Sequence, residues 1–150
     1  MYLSIQQATL KDVPLILAFI KGIAEYEKLS HEVETTTSML TENLFGKTPS
    51  AHAIIAFEEN LAVGFALYFY NFSTFRSKKG LYLEDLFVWP EHRGKGYGKA
   101  LFTYLIDKAK HEDCGRMEWS VLDWNQPAID FYLAFSAKPM DEWTTYRISF

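Results

Sequence analysis

A chain of 150 residues, 49% hydrophobic and 23% charged, has the size and apolar content of one globular domain and is too apolar for a disordered segment. A net charge of −4 speaks against a nucleic-acid surface, and the single cysteine, Cys114, excludes an intramolecular disulfide or a thiolate metal cluster. His31, His52, His92 and His111 lack ligand spacing, no apolar run approaches the ~20 residues of a membrane span, and Met1 to Gln6 carry no basic leader, so no metal and a cytoplasmic address are expected.

Tyr2 to Gln7 reads as a short strand. Thr9-Leu10-Lys11-Asp12 resembles a capping box, and Val13, Ile16, Leu17, Ile20, Ile23 and Ala24 follow at helical spacing to about Lys28. Thr36 and Thr37 can cap a shorter helix that Gly46 ends. Ala51 to Phe57 and Leu61 to Tyr70 are β-branched and aromatic runs joined in hairpin style by Glu58-Glu59-Asn60. Asn71 to Lys79 is polar and reads as a loop. Gly80 to Val88 is a third long strand, stopped by Pro90. From Gly96 to Lys110 the helical period returns. Arg116 to Leu122 is a strand, Asn125 caps a short helix through Tyr132, and Thr144 to Phe150 is a final strand. The order β-α-α-β-β-β-α-β-α-β predicts a single mixed α/β domain over 1–150 rather than a doubly wound parallel one.

The chemistry concentrates in Val88-Trp89-Pro90-Glu91-His92-Arg93-Gly94-Lys95-Gly96-Tyr97-Gly98-Lys99. Here a strand ends and three alternate glycines lead into an amphipathic helix. Glycine permits positive φ and close backbone approach. The first amides of a helix lack internal partners and, with the helix dipole, form an anion site. Arg93, Lys95 and Lys99 add positive charge, which together makes a pyrophosphate cradle. The spacing is G-x-G-x-G, not the dinucleotide G-x-G-x-x-G, and the nucleotide-kinase G-x-x-x-x-G-K-[ST] is absent.

Arg93-Gly94-Lys95-Gly96-Tyr97-Gly98 fits the R-x-x-G-x-G/A signature of the GNAT superfamily of N-acetyltransferases. Leu83-Glu84-Asp85-Leu86-Phe87-Val88 resembles that family's central strand, and Trp124 to Tyr132 its later helix. With Ala24-Glu25-Tyr26-Glu27-Lys28, the chain resembles the spermidine/spermine (diamine) N-acetyltransferase branch over nearly its whole length. The resemblance implies a central mixed, twisted sheet of six to seven strands flanked by helices. It implies acetyl-CoA as cofactor, a small-molecule amine as partner, and a homodimer with the C-terminal strand near its interface.

Acetylating an amine requires loss of a proton from a group with pKa near 10, a held carbonyl, an oxyanion donor and a proton for the leaving thiolate. The resemblance makes Tyr132 the acid that protonates the CoA sulfur. Glu84 is the chosen base, acting through water, with Asp85 the competing candidate. Strict alternation would put Tyr82, Glu84, Leu86 and Val88 on one strand face and Leu83, Asp85 and Phe87 on the other. One acid would then sit among apolar neighbours, where its pKa rises as a base requires. Leu86, Phe87 and Val88 offer backbone groups to the pantetheine arm, and the segment from Gly94 to Lys99 holds the pyrophosphate. Asn125, with Pro127 and Ala128, caps a helix, meets the cofactor, or does both. Tyr26, Glu27, Asp85, Glu118, Trp119 and Ser120 match substrate-lining stretches, where acids beside aromatic rings would suit a cation.

Two features depart from the family pattern. Phe135-Ser136-Ala137 stands where Gly-Ala is usual, so Ser136 must supply a turn that glycine usually makes. The C-terminus, Asp141 to Arg147, is unlike that of the polyamine enzymes. Cys114 reads as an incidental thiol. A protein N-terminus or lysine as acceptor, or a CoA-binding module without turnover, are the alternative readings.

Overall fold

The computed structural model describes residues 2–150, so Met1, where the N-terminal reading begins, lies outside the described residues. The chain divides into two compact units, one running through Trp119 and the other from Ser120 to Phe150.

The first unit is built on a five-stranded sheet whose spatial order follows the sequence: β1 (Leu3–Gln7), β2 (His52–Glu58), β3 (Leu61–Ser73), β4 (Lys78–Val88) and β5 (Arg116–Trp119). The first four strands pair antiparallel, while β4 and β5 run parallel. A parallel pair needs a crossover, and helix α3 (Tyr97–His111) supplies it. The sheet thus has five strands, fewer than the six to seven expected. Asn71 to Lys79 is not one loop: its ends extend β3 and β4, and only residues 74–77 turn. Polar side chains there mask a paired backbone, with Phe72 opposite Lys79 and Ser73 opposite Lys78.

Helices α1 (Val13–Tyr26) and α2 (Thr37–Phe45) cover one face. Both start as their sequences demand. The Thr9 amide and hydroxyl donate to the Asp12 carboxylate at 2.8 and 3.1 Å, closing a 3-10 turn (Leu10–Asp12) that leads into α1, and Thr36 Oγ1 accepts from the Met39 amide at 3.2 Å to cap α2. Val13, Ile16 and Phe19 of α1 join Leu40 and Leu44 of α2 over Ile55, Phe65 and Phe87. The Phe19 ring stacks on Phe65 at 4.9 Å and Trp89 at 5.0 Å. Gly22 makes this approach possible, because a Cβ there would fall 2.8 Å from Trp89 and 2.9 Å from Phe87. Leu101, Phe102 and Leu105 bury the stripe of α3 completely.

In the second unit, Asn125 caps α4 (Gln126–Leu133), its side-chain oxygen accepting from the Ala128 amide at 3.4 Å. The expected strand from Thr144 to Phe150 does not form. Tyr146, Ile148 and Phe150 are exposed there, and a lone apolar segment without a neighbour has no ladder to join.

Three helices end alike. After α1, α3 and α4 the chain turns through a left-handed residue: Lys28 (φ 61°), Asp113 (φ 57°) and Ser136 (φ 62°). In each case the next amide reaches five residues back: Leu29 to Ala24 at 2.7 Å, Cys114 to Ala109 at 2.9 Å, and Ala137 to Tyr132 at 3.4 Å. Ser136 therefore takes the glycine-like turn that its position demands.

Candidate functional site

The site begins where β5 stops. β4 pairs with β5 only from Gly80 to Leu83, yet continues to Val88. From Glu84 to Val88 the strand has β3 on one side and, among the described strands, no partner on the other. Leu86, Phe87 and Val88 lie on this one-sided stretch, where peptide groups other than the Val88 carbonyl, which accepts from Arg93, remain for a ligand.

Within it the strand bulges. Leu67 of β3 faces Asp85, but Tyr68 faces Leu83, so Glu84 has no cross-strand partner. The strict alternation expected for this strand is therefore broken. Asp85 lies across from Leu67, which packs against the α1-side core. Glu84 is exposed, not lodged among apolar neighbours. Asp85 is the carboxyl that burial affects: desolvation first, then the charges of Glu84 and Glu27, push its pKa up to about 7. Glu27, just past the end of α1, is likewise raised by burial and then by Glu84. Asp85 and Glu27 thus both feel the charge of Glu84, across β4 and the end of α1.

Beyond Val88 the chain makes a tight turn, Pro90–His92, and then passes Gly94 (φ 80°) and Gly96 (φ 86°) before α3 begins. Both glycines occupy the left-handed region, and a Cβ on either would meet open space. Among the described residues, the amides of 94–99 find no acceptor in the chain; the first helical bond is Ala100 to Gly96, at 3.0 Å. Six amides of the glycine loop and the first turn of α3, with Lys95 and Lys99 exposed beside them, are available to an anion.

The other predicted residues divide by use. The Arg93 guanidinium lies 5.1 Å over Tyr26 and 5.3 Å over Phe87, and its Nε donates to the Val88 carbonyl at 2.9 Å. It braces the loop against α1 and β4. Tyr97 is buried, so its backbone rather than its ring belongs to the cradle. Gly98 is less constrained, its Cβ position lying 3.9 Å from Val88. Glu118 pairs with Arg116 at 3.2 Å, and Trp119 packs edge-on against Phe102 at 5.0 Å. Ser120 opens the second unit. Asn125, Pro127 and Ala128 start α4, where Tyr132 stands with its ring 5.4 Å from Phe131. Burial raises the pKa of the half-buried Cys114 thiol.

The acetyltransferase (GNAT) family model matches residues 20–136. This chain belongs to the GNAT family. Among its relatives is the thialysine N-epsilon-acetyltransferase of Bos taurus, 34% identical, the match covering 97% of this chain and 92% of that one. The L-ornithine N5-acetyltransferase of Arabidopsis thaliana is 30% identical over 99% of this chain and 85% of its own. A spermidine/spermine N(1)-acetyltransferase-like protein of Homo sapiens is 31% identical, although the match covers only 23% of that protein. A solved V. cholerae integron cassette protein superposes with a TM-score of 0.82 at 27% identity, covering 99% of this chain and 93% of that one. This GNAT acetyltransferase keeps the mixed sheet of its family, with α3 leaving β4 through the glycine loop.

Sequence reasoning missed two features of the site. The bulge at Glu84 depends on the register of β3, which no local pattern encodes. Glu58 at the end of β2 read only as a turn residue, yet it is buried against the loop. Its partners lie more than thirty positions away, so no local signal marked it. Among the described residues no group of His, Cys, Asp and Glu could hold a metal, and no helix is long and apolar enough to cross a membrane.

Proposed function

We propose that this GNAT enzyme transfers the acetyl group of acetyl-CoA to a primary amine of a small cationic molecule (a polyamine, a diamine or a lysine-like side chain). Transfer is direct, in a ternary complex. The observation that carries the reading is the amide cradle that follows β4, together with the carboxyls of Glu84 and Asp85 on that strand and of Glu27 at the end of α1. The amides of 94–99 bind the diphosphate, and the free edge at Leu86, Phe87 and Val88 bonds the amide-bearing pantetheine arm as an added strand would. Asn125, Pro127 and Ala128, at the start of α4, serve the same ligand. The named substrates of the relatives, thialysine and L-ornithine, support an amine at the end of an amino-acid side chain.

Glu27, Glu84 and Asp85 attract the cation, beside the Tyr26 ring. Glu118, Trp119 and Ser120 line the remainder of the substrate side. Of the two adjacent acids, Asp85 is the better base. Moving a proton from an amine of pKa near 10 to a carboxyl at about 7, rather than at 3.8, lowers the uphill step by about 4 kcal/mol. Glu84 supplies the charge that sustains this shift and orders the water through which the proton passes. The freed nitrogen then attacks the thioester carbon, the carbon–sulfur bond breaks, and Tyr132 gives its proton to the departing sulfur. The enzyme acts as a homodimer joined through residues 144–150.

The test is CoA release from acetyl-CoA with spermidine, putrescine, lysine, thialysine, ornithine and a short peptide. Release with one or more of the small amines is expected, and release with the peptide alone would refute the substrate class. A control without amine excludes signal from Cys114.

A further inference from the structure

Glu58 belongs to no motif. It ends β2, where its backbone faces Leu3 and Leu61, its side chain is only 10% exposed, and the charged groups paired with its carboxylate come from the loop after β4. His92 Nδ1 lies 3.7 Å from Oε2 and Lys95 Nζ lies 3.8 Å from the same oxygen; the Tyr97 hydroxyl, whose pKa is raised by burial and then by Glu58, is the third group near the carboxylate. These residues come from the tight turn, the glycine segment and the first turn of α3, which are the three parts of the loop. His92 Nδ1 is itself buried and has no hydrogen-bond partner among the described residues.

Arg93 braces the start of the loop against Val88, Phe87 and Tyr26, but beyond Arg93 little else fixes it. Its internal bonds, His92 to Trp89 at 2.9 Å and Arg93 to Pro90 at 3.3 Å, stop before Gly94. Beyond them stand two left-handed glycines with open space around them, and ordering glycine costs more backbone entropy than any other residue. We propose that Glu58 is the positioning residue of the phosphate loop, holding the amides of 94–99 ready for the diphosphate of the acyl donor. This role rests on the acetyl-CoA reading above. Lys95 is held loosely: 3.8 Å is longer than a tight charged hydrogen bond, and its side chain is 41% exposed. It can swing to the diphosphate while His92 and Tyr97 keep the carboxylate occupied.

The experiment compares wild type, Glu58→Gln and Tyr97→Phe for binding of CoA and of S-acetylpantetheine, which lacks the diphosphate. In Glu58→Gln the Kd for CoA rises about tenfold, equivalent to losing one charged contact, while that for S-acetylpantetheine stays within about twofold. KM for acetyl-CoA rises in step, and kcat stays within about twofold. Tyr97→Phe, which removes one hydroxyl, moves CoA binding in the same direction by about threefold. An unchanged CoA Kd in Glu58→Gln, or equal weakening toward both ligands, overturns the role of Glu58 alone. Wild type with no preference for CoA over S-acetylpantetheine overturns the diphosphate reading, and the proposal falls with it.

Discussion

Two neighbouring acids differ because one peptide unit is surplus. Glu84 has no partner on β3 and stays exposed, whereas Asp85 is pushed up to about 7 by burial and by the charges of Glu84 and Glu27. The rate should therefore fall as pH drops below about 7, where Asp85 takes up its proton. Asp85→Asn is expected to lower kcat about a hundredfold and abolish that limb of the profile. Glu84→Gln should lower the rate about tenfold and move the limb to lower pH, because it removes a charge that holds the Asp85 pKa up. If instead Glu84→Gln abolishes the limb and Asp85→Asn keeps it, Glu84 is the base. Stability follows the same group. A carboxyl whose folded pKa is raised favours the fold while protonated, and that contribution disappears as pH rises through about 7. The thermal midpoint of wild type should thus fall relative to Asp85→Asn between pH 5 and pH 8. At the other end of the reaction, Tyr132→Phe should cut kcat about a hundredfold with acetyl-CoA affinity retained. Unchanged turnover would remove Tyr132 from its role.

Secondary elements were legible wherever their signals are local. The Thr9–Asp12 capping pair, the Thr36 cap and the Asn125 cap are all present, because a cap and its target lie within three residues. The glycine loop was legible too, since positive φ at Gly94 and Gly96 is a property of those residues alone. What escaped depends on partners. Residues 71–73 and 78–79 look like loop until a second strand is laid beside them. Residues 144–150 look like strand, but propensity without a neighbour forms none. The bulge and the Glu58 hub both depend on residues far away in the chain. Ser136 was legible in a different sense, as a residue at odds with its position. Its left-handed conformation costs a non-glycine residue about 1 kcal/mol, so Ser136→Gly should stabilise the helix end by about that amount in denaturant unfolding. No gain would mean that the serine side chain compensates through contacts of its own.

At the scale of the molecule, the exposed C-terminus calls for an explanation. Tyr146, Ile148 and Phe150 present a series of large apolar side chains, a pattern that solvent does not favour. In the proposed homodimer a second copy would offer the missing ladder. Sedimentation of the full chain should give a dimer, and removal of residues 144–150 should give a monomer; a full chain that sediments as a monomer at micromolar concentration would exclude this role for the segment. The bulge, finally, bears on how such a chain can change over generations. Glu84 contributes nothing to the β3–β4 ladder, so a deletion of that single codon would leave an uninterrupted hairpin and a more regular sheet. The same event would scatter the acid trio. The ladder does not need the residue, so on the proposed mechanism its place in the chain answers to the reaction and not to the architecture.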